Sequence, residues 1–179
     1  MPLNESWQTA EIPGPKKASL IMKPDIADAM IRRAKRPIMV VGRGIIEYDV
    51  ERQKLIDLLI ELAQKANIPI VTTASTNREF LDRNFRPAAL MPAVDVANRL
   101  TDPAWKGFDG RDPYDLAIFV GLPYYMEWTI LSGLKHFAPN LKTMTLDCVY
   151  QPNASWSFPN STIKDWVGNI RGIVDGLGD

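Results

Sequence analysis

The chain has 179 residues, one histidine, one cysteine, and 21 Lys plus Arg against 21 Asp plus Glu, so its formal net charge is zero. Such a balance gives no electrostatic case for nucleic acid or an anionic membrane surface, and no apolar run approaches the roughly 18–20 residues that span a bilayer. A lone cysteine and a lone histidine exclude an internal disulfide, a cysteine-ligated iron–sulfur cluster held by this chain alone, and a multi-histidine metal site.

Residues 1–18, with Pro2, Pro13, Gly14 and Pro15, read as an extended N-terminal arm, and residues 19–179 as one α/β domain. The start Met1-Pro2-Leu3-Asn4-Glu5 has neither a basic nor an apolar leader stretch, which points to the cytoplasm. Trp7 either docks on its own domain or anchors the arm on a partner. Lys23-Pro24-Asp25 opens a helix, with Ile26, Met30 and Ile31 as its apolar stripe. Arg32, Arg33, Lys35 and Arg36 gather at its end, where they complement the helix dipole; an anion site is the minor alternative.

Pro37–Val41 is an apolar run rich in β-branched residues that stops at Gly42-Arg43-Gly44. A helical pattern over Val50–Ala66 follows, with Leu55, Ile56, Leu58, Leu59 and Leu62 on one face. Asn67 stands at its end, and Ile68–Thr72 is the next strand. Strand, glycine turn, helix and strand make a right-handed parallel crossover. Thr73–Asn77 cap a short helix or face a ligand in the crevice. From Asn84 to Arg111, five Pro and Gly residues predict loops around a helix near Asp95–Leu100.

Tyr114–Val120 is the second strong strand, ending at Gly121. Pro123 then starts a helix whose Tyr124, Tyr125, Trp128, Ile130 and Leu131 put apolar groups on more than one face, which predicts burial against something else. Leu141–Leu146 alternates cleanly and reads as an edge strand. Asp147 ends it, placed either to hold a ribose or to cap a turn. Ser161 or Thr162 caps a final helix, Ile163–Leu177, with Ile163, Trp166, Ile170, Ile173 and Val174 facing inward.

No catalytic constellation emerges. His136 reads as structural or solvated. Cys148 has no histidine near it in sequence and reads as an inert thiol. The acidic pairs Glu47/Asp49 and Asp109/Asp112 fall in loops. Gly42-Arg43-Gly44 lacks the third glycine of the dinucleotide fingerprint. Arg43 is placed either to clamp a diphosphate or to pair with a carboxylate of a partner.

The run Lys35–Gly44 resembles the start of the central, FAD- or ADP-binding-type domain of thiamine-diphosphate enzymes. The aromatic helix after Val120-Gly121-Leu122-Pro123-Tyr124-Tyr125, together with Asp147-Cys148-Val149-Tyr150-Gln151-Pro152-Asn153-Ala154-Ser155-Trp156-Ser157-Phe158-Pro159-Asn160, is similar to the epsilon subunits of archaeal acetyl-CoA decarbonylase/synthase complexes. That resemblance covers nearly the whole chain. It implies a three-layer, Rossmann-like parallel sheet. It also implies a non-catalytic subunit that associates with the nickel–iron–sulfur alpha subunit of carbon monoxide dehydrogenase as two alpha and two epsilon chains. No cofactor is then tightly bound, and transient contact with FAD is implied only at Gly42, Arg43, Gly44 and Gly121. The alternative is a flavin- or nucleotide-binding module. Trp7, Trp105, Tyr124, Tyr125, Trp128 and Trp156 are the aromatic residues available either to a partner or to the core.

Overall fold

The computed structural model describes residues 16–46, 49–50 and 53–178. In chain order its elements are β1 (Ser19–Leu20), α1 (Pro24–Arg33), β2 (Pro37–Val41), β3 (Asp49–Val50), β4 (Gln53–Lys54), α2 (Leu55–Lys65), β5 (Ile70–Thr72) and α3 (Ala74–Leu81). Then come β6 (Ala89–Leu90), α4 (Ala93–Thr101), β7 (Leu116–Val120), α5 (Tyr124–Phe137), β8 (Lys142–Thr145), β9 (Trp156–Ser157) and α6 (Ile163–Gly176). Seven strands form one sheet in the order β1-β9-β8-β7-β2-β5-β6, and every pairing in it is parallel. β3 and β4 pair antiparallel, apart from this sheet.

The central strands β2 and β7 are apolar throughout because both faces are covered. One face of the sheet carries Met39, Val41, Ile70, Ile118, Val120 and Met144, which pack against residues of α1, α2 and α6. The other carries Ile38, Val40, Val71, Ala117 and Phe119, packed against α4 and α5. The result is the expected three-layer, Rossmann-like α/β sandwich. Among the described residues, no helix is long and apolar enough to cross a membrane.

The sequence pattern overreaches at several places; the strand expected over Tyr114–Val120, for one, begins at Leu116. The predicted helix over Val50–Ala66 begins instead at Leu55, and Val50 pairs with Gln53 in the β3–β4 ladder. The buried face of this helix, with Leu55, Ile56, Leu58, Leu59 and Leu62, begins at Leu55. Leu141–Leu146 is not an edge strand. β8 lies between β7 and β9, and β1 adds outside β9, so the alternating residues Thr143 and Thr145 are both buried. Two-residue strands such as β1 and β9 leave no periodic trace that would have revealed this. The predicted strand at Ile68 starts at Ile70. Asn67 adopts a left-handed φ of 51°, and the N–H of Ile68 returns to the Ala63 carbonyl at 2.8 Å, closing α2 with a Schellman turn.

Within the predicted arm, Trp7 and the rest of residues 1–15 lie outside the described residues. Its last residue is part of the fold: Ala18 is buried in the second core, and its N–H donates to the Pro152 carbonyl at 2.9 Å. Thr162 is the cap of α6. Its hydroxyl accepts from the Asp165 N–H at 3.2 Å and donates to the Asp165 carboxylate at 2.8 Å.

Candidate functional site

Strand order reverses between β2 and β7. From β2 the chain proceeds outward through β5 to β6, whereas β7 leads to β8 on the other side. In open parallel sheets, the crevice at the carboxyl ends of two such strands is where ligands usually sit. Here those ends are Gly42-Arg43-Gly44 and Gly121, so the fold brings the predicted glycines together.

The glycines close on one another. The Gly42 N–H donates to the Val120 carbonyl at 2.9 Å, and the Gly44 N–H to the Gly121 carbonyl at 2.7 Å. A Cβ on Gly42 would stand 2.7 Å from the carbonyl carbon of Gly121 and closer still to its oxygen. Gly121 itself takes a left-handed φ of 75°, with the Ile45 side chain 2.7 Å from where its Cβ would be. Beyond Gly44 the chain makes a short 3₁₀ turn, Arg43–Ile45, with Ile45 buried and Arg43 exposed. The next α-helix begins only at Leu55. A diphosphate cradle needs a glycine turn that opens into a helix N-terminus. This turn faces its own backbone, and among the described residues no α-helix opens from it, so these residues fit a flavin dinucleotide poorly.

Beside the turn lies a cavity of about 170 Å³, lined by Gly44, Gly121, Tyr124, Glu127, Asp147, Cys148 and Gln151 among others. Small-molecule sites run to roughly 300–1,000 Å³. Asp147 resolves toward its turn-capping alternative, because its Oδ1 accepts the Gly121 N–H at 2.7 Å. Facing the same cavity is a residue that the sequence reading passed over, Glu127 of α5, only 1% exposed. Its signal was present, since it is the single acidic residue between Asp115 and Asp147. Neither Glu127 oxygen, nor Asp147 Oδ2, Thr145 Oγ1 or Gln151 Oε1, has a hydrogen-bond partner among the described residues.

Burial, and next the charge of Asp147, hold the Glu127 carboxyl well above the usual carboxylate range. Burial also raises Asp147, against the opposing pull of Glu127 and of the Gly121 amide. The two titrate as a pair, and a retained proton supplies one of the missing donors. Because the folded-state value lies above the unfolded one, the folded chain holds the extra proton. Its contribution is complete below the ordinary carboxylate pKa and is lost as pH rises through the folded value. In this window each linked proton changes the folded-to-unfolded ratio by about tenfold per pH unit. Glu127→Gln keeps the shape and removes the ionisation. Urea unfolding across a pH series should therefore show wild-type stability falling with pH more steeply than that of the variant. Parallel curves would refute the pairing.

The remaining candidates do not converge on a reaction. The Cys148 thiol is pushed up by burial and then by Asp147, the opposite of nucleophile activation. His136 is exposed near the far end of α5, nine residues beyond Glu127, or about 13 Å along the helix. Thr73 is the N-cap residue of α3, but its hydroxyl meets Thr76 at 3.2 Å rather than a backbone N–H. Two side chains of the basic cluster at the end of α1 are engaged by the protein. Arg32 pairs with Asp28 at 2.8 Å and Arg36 with Asp109 at 2.6 Å, while the Asp115 carboxylate accepts the backbone N–H groups of Lys35 and Arg36, each at 2.8 Å. Glu47 lies outside the described residues. Among the described residues, no three His, Cys, Asp or Glu side chains are grouped so as to hold a metal.

The outward side of α5 is apolar and uncovered by the described residues of this chain. Tyr125 is 73% and Phe137 72% exposed, and Met126, Val94 of α4 and Leu90 of β6 are exposed as well. Between α4 and α5 runs a groove of about 470 Å³, lined by Val94, Ala97, Ile130, Gly133 and Phe137 among others. It adjoins a second hollow of about 440 Å³, and the two share Val94 and Met126. Among the described residues, no charged one lines either hollow.

Comparison with known proteins agrees along nearly the whole length. A family model described as CO dehydrogenase beta subunit/acetyl-CoA synthase epsilon subunit matches residues 1–174. The acetyl-CoA decarbonylase/synthase complex subunit epsilon of Methanothermobacter thermautotrophicus is 38% identical over 162 residues, 89% of this chain and 88% of that protein. Subunit epsilon 1 of Archaeoglobus fulgidus is 35% identical over 181 residues, 98% of this chain and 94% of that protein. Subunit epsilon 1 of Methanosarcina barkeri is 32% identical over 159 residues, 89% of each chain.

Proposed function

The chain belongs to the CO dehydrogenase beta subunit/acetyl-CoA synthase epsilon subunit family, and on that premise we propose that it is a cytoplasmic, non-catalytic subunit of the acetyl-CoA decarbonylase/synthase complex. In this reading it docks on the catalytic alpha subunit of the CO dehydrogenase component, as two alpha and two epsilon chains, and stabilises it. The observation that carries the reading is the uncharged apolar surface of α4 and α5. Tyr125, Met126 and Phe137 stand on a helix whose inner residues Ile130, Leu131 and Leu134 already complete the domain core, so the outer ones serve something beyond the fold. Aromatic and Met side chains on such a surface are typical interface anchors. The glycine turn, the raised Cys148 thiol and the remote His136 all favour a scaffold over a reactive centre.

The experiment is reconstitution with the catalytic subunit. Met126→Glu and Phe137→Glu change exposed positions, so each variant alone should unfold as the wild type does, within about 0.5 kcal/mol. Each should weaken co-purification by at least tenfold, since a central anchor contributes about 2 kcal/mol or more. Unchanged association of both variants would remove this surface from the proposal, and CO oxidation by the lone chain with a dye acceptor would end the non-catalytic reading. A second arm adds FAD. Thermal stabilisation by FAD that disappears in Arg43→Ala would replace the scaffold reading with assistance to flavin electron transfer.

A further inference from the structure

The small cavity beside the glycine turn has more unserved oxygen at its wall than the fold explains. Three stretches meet there: the first turn of α5 brings Glu127, the last residue of β8 brings Thr145, and the loop after β8 brings Asp147 and Gln151. Asp147, Thr145 and Gln151 are the polar side chains that bear on the Glu127 carboxyl. Glu127, Thr145 and Gln151 are each at most 1% exposed. Two of the neighbours have one end fixed. Asp147 Oδ1 accepts the Gly121 N–H, and Gln151 Nε2 donates to the Tyr124 carbonyl at 3.1 Å. Their other ends, Asp147 Oδ2 and Gln151 Oε1, join the two Glu127 oxygens as four buried acceptors without a donor. The Thr145 hydroxyl, itself without a partner, can donate to one of them. A proton retained on the carboxyl pair serves two more, the oxygen that bears it and the oxygen that accepts from it. One acceptor is still left over. Gln151 carries no charge, so its unserved oxygen is an observation separate from the meeting of two carboxylates.

We propose that Glu127, Asp147, Gln151 and Thr145 form a site for a small, hard divalent cation of the magnesium or manganese kind. Converging carboxylate, amide and hydroxyl oxygens are the ligands such ions take. Two carboxylates match the two positive charges, so the assembled site is neutral where it leaves bulk water. Magnesium is commonly held by one or two carboxylates and keeps several of its waters, which is why no third acidic group is needed. The cavity of about 170 Å³ has room for those waters, each of which fills about 30 Å³ in the liquid. Of the described residues that line it, none is Lys, Arg or His. Its one soft donor is Cys148, whose thiol burial pushes up, so the site offers oxygen rather than thiolate. The ion ties the first turn of α5 to the end of β8 and, through Asp147, to Gly121. The site stands apart from the docking surface and does not rest on it.

Thermal unfolding of the full chain tests the site, after treatment with a chelator and then titration with magnesium or manganese chloride against sodium chloride of equal ionic strength. Both divalent salts are expected to raise Tm in a saturable way. At a concentration about a hundred times Kd, the folded-to-unfolded ratio rises about a hundredfold. Glu127→Gln and Asp147→Asn keep the side-chain shape and remove one charge each. Each is expected to weaken binding by at least about tenfold, since even residues behind the ligands of a metal contribute about 10- to 100-fold. Manganese also locates the ion in the wild-type chain, with no variant needed. It is paramagnetic, and the backbone amide signals of Gly121 and Gly44 should broaden before others in the NMR spectrum. No stabilisation beyond sodium chloride would overturn the site and leave the cavity to water. So would stabilisation that persists in full in both variants, or broadening that spares Gly121. None of these outcomes bears on association with the catalytic subunit, which is read separately.

Discussion

Gly42→Val is expected to abolish cooperative folding, and Gly42→Ala to come close to doing so. The new Cβ must occupy space held by the Gly121 carbonyl, and that peptide is not free to retreat. The Gly121 oxygen accepts the Gly44 N–H at 2.7 Å, and the Gly121 nitrogen donates to Asp147 at 2.7 Å. Relief therefore means pulling β2 and β7 apart at the centre of the sheet, where they pair through five residues in register. We expect a cost above about 4 kcal/mol, the range reached only by substitutions with a defined steric or burial defect. A domain of this kind has about 5–15 kcal/mol in all. Gly110 supplies the control. Unlike Gly42, whose φ is −98°, it has a left-handed φ, 71°, and nothing lies within 4 Å of its Cβ position, so Gly110→Ala should cost only the backbone strain, about 1–2 kcal/mol. Urea denaturation of the three variants separates the two terms. Wild-type stability in Gly42→Val would mean that the turn is open enough to admit a ligand, which would reinstate the diphosphate reading of Gly42-Arg43-Gly44.

This contrast also explains which parts of the molecule could be read from the chain. Pro37–Val41 and Leu116–Val120 were legible because a central parallel strand is buried on both faces and has almost no choice but continuous apolar residues. Their glycines were legible as turns but not as a site. A glycine that admits a phosphate and a glycine that admits another backbone obey the same steric rule, and only the partner across the gap distinguishes them. That partner, Gly121, is 77 residues from Gly44 in the sequence. Glu127 was hidden for a related reason. A lone Glu early in a helix ordinarily complements the dipole at the surface, and its neighbour Asp147 comes from the loop after β8, 20 residues on in the sequence. Tyr125 is legible as a surplus aromatic, but periodicity does not assign it to the outer side of α5, and Phe137, equally exposed, carries no signal of its own.

Trp166→Ala should be the most damaging change in the helical layers. The side chain is 1% exposed on α6, the helix that packs against both α1 and α2, and it belongs to the first core cluster beside Met144, Leu146 and Phe158. Its indole N–H donates to the Leu146 carbonyl, just before Asp147 turns to cap Gly121, and its ring also lines the small cavity beside the glycine turn. Removing it enlarges that cavity and takes a donor from a buried carbonyl, at about 3–5 kcal/mol. Trp166→Phe restores most of the apolar volume but not the donor, so it should cost about 1–3 kcal/mol. The ordering matters more than either value. If Phe is as harmful as Ala, the hydrogen bond and not the packing holds α6 to the end of β8. If Phe is as stable as wild type, the Leu146 carbonyl has another donor, and Trp166 acts only by filling space. With the expected intermediate result, amide exchange at Gly121 should quicken in both variants. Asp147 can hold that N–H only while the indole fixes the peptide before it, which makes the switch-point turn depend on a residue two elements away.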